Sequence, residues 1–193
     1  MPGEPHRDEH EFAAPWLSPG LVKSNELVLR TILDPDHLEP DGQLAVAAIS
    51  LADIRFRGWS VDRKYFTSRW RVRLSHSEWK KKKPNLRKIH VLPIPVSQIR
   101  LPSPKTGQQD FVVTDTAVWL NPAHADVLLS GPHGEGAARV FRKQLLQKLP
   151  PYVDITQVFD SRDKHGYSRG LVRQLVAILA RPFRYIFRSK SKS

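Results

Sequence analysis

SRWRVRLSHSEW, residues 68–79, admits two foldings. Trp70, Val72 and Leu74 alternate with Arg69, Arg71 and Arg73 as in a strand with one wet side, while Phe66, Trp70 and Leu74 recur at the four-residue step of a helix. Both readings put the arginines on a solvated side or edge. KKKKP, 80–84, ends the element, because proline disfavours helix at the residue before it and clustered ammonium groups repel one another.

Upstream, GWSVDR (58–63) alternates so that Ser60 and Asp62 share one face and Trp59, Val61 and Arg63 the other. This predicts a strand end with Trp59 in the core and Asp62 and Arg63 as surface neighbours. LAVAAISLADIR (44–55) places Leu44, Ala47, Ala48, Leu51 and Ile54 at helical spacing, DPDHLEPDG (34–42) is a loop of turn formers, and ELVLRTIL (26–33) is a buried strand. Downstream, RKIHVLPIPV (87–96) is extended, and Pro93 and Pro95, each lacking a donor, put it at a sheet edge. PSPKTGQQD (102–110) is a turn before DFVVTDTAVWL (110–120), which is strand-like, and 123–131 is the next strand. Helix 137–149 buries Ala138, Phe141, Leu145 and Leu149 and stops at Pro150 and Pro151.

Short strands interleaved with helices, without regular βαβ spacing, predict an α+β fold. A single compact domain with a mixed or antiparallel sheet is expected over 21–158. It follows a disordered acidic tail, 1–20, and precedes a linker and basic amphipathic helix, 159–193.

The 193 residues carry a net charge of +12, unevenly spread: residues 1–50 sum to −6, 51–100 to +11, 101–150 to +1 and 151–193 to +6. Two cationic blocks of this kind attract nucleic acid, anionic lipid or an acidic partner. No cysteine occurs, which excludes disulfides, thiolate zinc sites and a cysteine nucleophile. The N-terminus is acidic and broken by prolines, without the charged start and apolar run of a signal peptide, so a cytoplasmic protein is expected.

LVLRTILDPDHLEPDG, RGWSVDR and NPAHADV together resemble segments of small uncharacterised bacterial proteins that carry a similar Gly-x-Ser-Val-Asp-Arg stretch and an Asn-Pro-Ala-His-Ala stretch. The likeness brings no function. It implies that such chains end near helix 137–149, which would make 159–193 an addition.

The C-terminal segment is the best-patterned. At about 100° per residue, SRGLVRQLVAILARPFRYIFR gathers its Leu, Val, Ile and Phe residues, Phe183 and Phe187 among them, on one side and sets Arg173, Arg181, Arg184 and Arg188 opposite. No acid follows Asp163. Such a helix suits an anionic membrane surface, at the inner face of the bacterial membrane, or a partner's groove. Four arginines prevent it from spanning.

The run from Arg55 to Lys88 holds thirteen basic residues with aromatics between them. Arg69, Arg71, Arg73, Lys80, Lys81, Lys82 and Lys83 beside Trp70 and Trp79 are the combination that holds single-stranded nucleic acid, cations on phosphates and rings on bases. A third candidate is GPHGEG (131–136). Gly134, Gly136 and Arg139, at a strand-to-helix turn, form an anion site of the kind a nucleotide-acting enzyme would need. The glycine spacing fits neither a P-loop nor a dinucleotide fingerprint, and Glu135 repels phosphate, so a plain connection with positive-φ glycines is the competing reading.

The histidines show no metal spacing, with His124 read as a buried imidazole and the other rings as solvated. Arg30, Ser60 and a distant acid form a conceivable nucleotide-modifying set that no spacing rule supports. The reading that fits the residues best is a non-enzymatic accessory or interaction protein, with no cofactor and no metal, whose C-terminal helix engages a membrane or a partner protein. Nucleic-acid binding through 55–88 is the alternative.

Overall fold

The computed structural model describes residues 18–102, 107–118, 121–159 and 172. Its strands are β1 (Leu27–Leu33), β2 (Trp59–Arg63), β3 (Ile89–Pro95), β4 (Phe111–Asp115), β5 (His124–Leu129) and β6 (Val153–Asp154). The helices are α1 (Arg69–Lys82), α2 (Val96–Ile99), α3 (Glu135–Lys148) and α4 (Ile155–Val158). All six strands form one sheet in the order β4-β5-β2-β1-β3-β6, and every pairing is antiparallel. The fold is therefore α+β, with the antiparallel form of the expected sheet. Every strand falls within 21–158.

Alternation along the strands sorts side chains to the two faces. One face carries Val28, Ile32, Trp59, Val61, Leu92, Ile94, Val113 and Val127, packed under Ile49, Ile54 and the Ala138 and Leu145 side of α3. The other carries Leu29 and Val91, which pack with Val72 of α1 and with Ile155, Val158 and Phe159. The ambiguous stretch 68–79 is thus a helix. Its Ser68 side chain accepts the Arg71 N–H as an N-cap, and Val72 and His76, one turn apart, face the sheet.

Several expectations are corrected. Residues 44–55 do not form one regular helix: a 3-10 turn covers Val46–Ala48 and a π-helical turn covers Asp53–Arg57. The indole Nε1 of Trp59 donates to the Ala48 carbonyl, so the core tryptophan takes an acceptor that a continuing helix would use internally. β3 is next to the edge. β6 pairs with His90 and Val91, so among the described residues the half bearing Pro93 and Pro95 has β1 on one side and no strand on the other. Gly131, Gly134 and Gly136 are not among the positive-φ glycines of the described residues, which are Gly20, Gly42, Gly58 and Gly107.

Arg63 is buried rather than at the surface. Its guanidinium is shared by Glu26 Oε1 (2.7 Å), Asp115 Oδ2 (2.9 Å) and the Gly20 carbonyl (2.5 Å), while Ser18 Oγ donates to Asp115 at 2.6 Å. Residues 18 and 20, assigned to the acidic tail, therefore belong to the fold. His124 is half-buried, and His37 and His76 are buried rather than solvated.

Candidate functional site

One irregularity of the sheet organises its polar residues. β1 has seven residues and β2 five, yet their ladder consists of two pairs, Val28 with Arg63 and Leu29 with Asp62. Beyond Leu29 the two strands part. There the Ser60 carbonyl, facing β1, accepts from a side chain, Arg30 Nη1 at 2.7 Å. The Arg30 guanidinium carbon also lies 5.5 Å from the Trp59 ring centroid. A cleft of about 500 Å³ opens at this gap, with Arg30, Ser60, Asp62 and Asn121 at the sheet and Arg71 and Trp79 on α1. Residues of both sheet faces reach it, which the parting of the strands makes possible.

The electrostatics of the cleft are uneven. Burial lowers the Arg30 pKa from its ordinary value, opposed by the charges of Asp53, Asp62 and Asp126. Asp53 is itself paired with Arg57 (2.8 Å), and Lys83 pairs with Asp36. Arg30 and Arg71 make no ion pair among the described residues. The Nε atoms of both are buried without a hydrogen-bond partner, as is Asn121 Oδ1, whereas Asn121 Nδ2 donates to Asp62 Oδ1 at 3.1 Å.

Two histidines line the same cleft with defined tautomers. His37 Nδ1 accepts the Leu33 N–H at 3.1 Å, so the neutral ring carries its proton on Nε2. Burial, aided by the Arg30 charge, pushes its pKa down to about 4. His124 is held differently. Thr116 Oγ1 donates to Asp126 Oδ2 at 2.7 Å, which leaves its oxygen to accept from His124 Nδ1 at 2.8 Å, so a neutral His124 ring carries its lone pair on Nε2. Arg30 and Ser60, linked in sequence only by conjecture, thus meet, but through the Ser60 backbone.

α1 forms one wall of the cleft and turns its opposite side to solvent. On that side Trp70 is 60% exposed and Leu74 37%, with Arg73, Ser77, Glu78, Lys80 and Lys81 exposed along the helix, while Trp79, 42% exposed, stays at the cleft. The ammonium groups of Lys82 and Lys83 lie 5.7 and 5.8 Å from the Trp79 ring centroid. Arg69 and Arg71 are half-buried and lie off this outward side.

The turn 131–136 is differently equipped from the sequence expectation. Gly134 caps α3 and Glu135 is its first residue, so a carboxylate already stands at the positive end of the helix dipole. Arg139 Nη2 donates to that carboxylate at 2.5 Å and thereby holds the Glu135 pKa below the ordinary range. A Cβ at Gly134 or Gly136 would meet open space, so neither close packing nor positive φ calls for glycine there.

Arg173, Arg181, Phe183, Arg184, Phe187 and Arg188 lie outside the described residues. Val172 is described: it is helical and 57% exposed. Among the described residues no cluster of His, Asp and Glu could hold a metal ion, and no helix is long and apolar enough to cross a membrane. Comparison with protein families, characterised proteins and solved structures finds no match.

Proposed function

We propose that this chain is a non-enzymatic binding protein for single-stranded nucleic acid, engaged by the outward side of α1. The observation that supports it most is Trp70, a ring more than half in water on a helix whose exposed positions include Arg73, Lys80, Lys81 and Lys82 against one acid, Glu78. Val72 and His76 are the buried residues of the element, on the side away from that indole. Unpaired bases stack on such rings while Arg73, Lys80 and Lys81 neutralise the adjoining phosphates.

Fluorescence anisotropy of a labelled single-stranded oligonucleotide at several salt concentrations tests this. If about four phosphates are neutralised, log K falls against log salt with a slope of about −3. A salt-independent signal, or none, rejects it.

A second reading concerns the C-terminal segment. Val172, helical with its apolar side chain in solvent, supports a helix presented to an anionic membrane surface or a partner protein. Removing residues 168–193 should leave the α+β domain folded and abolish sedimentation with anionic vesicles. Unfolding of the truncated chain would defeat that reading.

A further inference from the structure

We propose that the cleft between β1 and β2 is a binding site for a small phosphate ester, with Arg30 and Arg71 receiving the phosphate and Asn121 and Asp62 the hydroxyls of the attached sugar. This site is separate from the outward side of α1 and does not depend on the strand-binding reading.

The argument begins with Arg30. A half-buried guanidinium with a buried Nε calls for an anion or further acceptors, because desolvating part of a charge without compensation is costly. Arg30 has one carbonyl, from Ser60, and an unpartnered buried Nε. Arg71 enters the same cleft from α1 with its own buried Nε unpartnered. Two forked donors without a carboxylate in contact match a phosphate, whose oxygens accept two bonds from each fork.

The rest of the lining selects an ester over free phosphate. Asn121 is 7% exposed and its Oδ1 lacks a donor, although its Nδ2 is used by Asp62. An orphaned acceptor beside a carboxylate asks for hydroxyl groups. Vicinal sugar hydroxyls supply them, each able to donate to Asn121 Oδ1 or Asp62. His124 Nε2, with its lone pair fixed by Thr116, adds a third acceptor at the cleft. The volume, about 500 Å³, falls in the range of pockets that enclose a small metabolite.

The test is calorimetry on the full chain with four probes: ribose 5-phosphate, adenosine 5′-monophosphate, adenosine and inorganic phosphate. Both esters should bind, and adenosine should bind at least tenfold more weakly than its monophosphate. Tighter binding of the nucleotide than of the sugar phosphate would identify a nucleotide ligand, and equal binding a sugar phosphate. Arg71→Gln, on the half-buried side of α1, should weaken ester binding at least tenfold with the fold retained. Arg30→Gln should do the same. If it unfolds, Arg71→Gln decides alone.

The proposal is overturned if neither ester binds, if adenosine or inorganic phosphate binds as tightly as the esters, or if Arg71→Gln leaves binding unchanged. Trp70→Ala should leave ester binding intact, so failure of the oligonucleotide reading and failure of this one are distinguishable.

Discussion

Arg63 Nη1 meets Asp115 Oδ2 at 2.9 Å, joining the ends of β2 and β4 across the intervening strand β5, with both side chains sealed from solvent. Glu26 and the carbonyls of Gly20 and Leu21 also accept from the guanidinium. Replacing one member of such a set strands the others: Arg63→Met is expected to lower stability by about 3–5 kcal/mol, visible as a fall in the urea midpoint. Burial already pushes the Asp115 carboxyl above its ordinary range, against hydrogen bonds from Ser18 and the Ala117 N–H and the charge of Arg63. Removing the guanidinium pushes it further. In the window between the ordinary and the raised value the native state holds the extra proton, so stability there falls as pH rises. The variant's deficit should therefore be smaller at pH 5 than at pH 8, and an equal deficit at both would contradict the account.

Gly58 ends the π-helical turn with φ of 92° and leads into β2. A Cβ there would lie 2.3 Å from Cγ of Asp126, whose Oδ2 holds Thr116 and through it His124. Gly58→Ala meets two penalties, a left-handed backbone and a clash with a side chain that is not free to move. A loss of about 3 kcal/mol is expected, with little change in the denaturant slope. Retention of the wild-type midpoint would show that Asp126 can move aside.

His37 makes stability sensitive to acid. Its pKa lies near 4 in the fold against an ordinary value of 6.5, so between these values the unfolded chain binds the proton and the native chain does not. Stability is complete above about pH 6.5 and falls as pH drops toward 4, by up to about 3 kcal/mol over the whole window. The groups bearing on it are Arg30 and Lys83, which oppose the charge, and Asp36, which favours it. His76, lowered mainly by burial and by Lys80, acts in the same direction. His37→Gln should flatten part of this limb in urea titrations from pH 4 to 7. An unchanged slope would remove His37 from the explanation.

For the outward side of α1, Trp70→Ala is expected to weaken oligonucleotide binding by about 1–3 kcal/mol while changing stability by less than about 0.5 kcal/mol. Substituting Lys80 and Lys81 by Ala should instead make the salt slope shallower by about 0.7 for each phosphate that is no longer neutralised. A Trp70 variant that binds normally would place the nucleic acid elsewhere or nowhere.

The strands and the long α3 helix were readable because their patterns are local. ELVLRTIL and HADVLL are runs that only a sheet interior accommodates, and Ala138 and Leu145 keep helical spacing. Residues 68–79 stayed double-valued because Arg-x-Arg-x-Arg suits a strand as well as a helix; the packing of Val72 and His76 on the sheet decides it, with Ser68 as the local hint. Arg63 was misplaced for a related reason. Its alternation with Trp59 and Val61 correctly put it on the inner face, but its partners Glu26 and Asp115 stand 37 and 52 residues away. Nor does any spacing announce that β1 and β2 separate after two pairs, so the cleft and the meeting of Arg30 with Ser60 were not legible.

That separation gives the sheet the construction of an open book. β4, β5 and β2 make one leaf, β1, β3 and β6 the other, and the spine is only as long as two facing residues. Past that spine the Arg30 side chain, reaching from one leaf to the Ser60 carbonyl of the other, is a stitch made by a side chain where the backbone makes none. Exchanging that one residue would alter what fits between the leaves while leaving both leaves as they are.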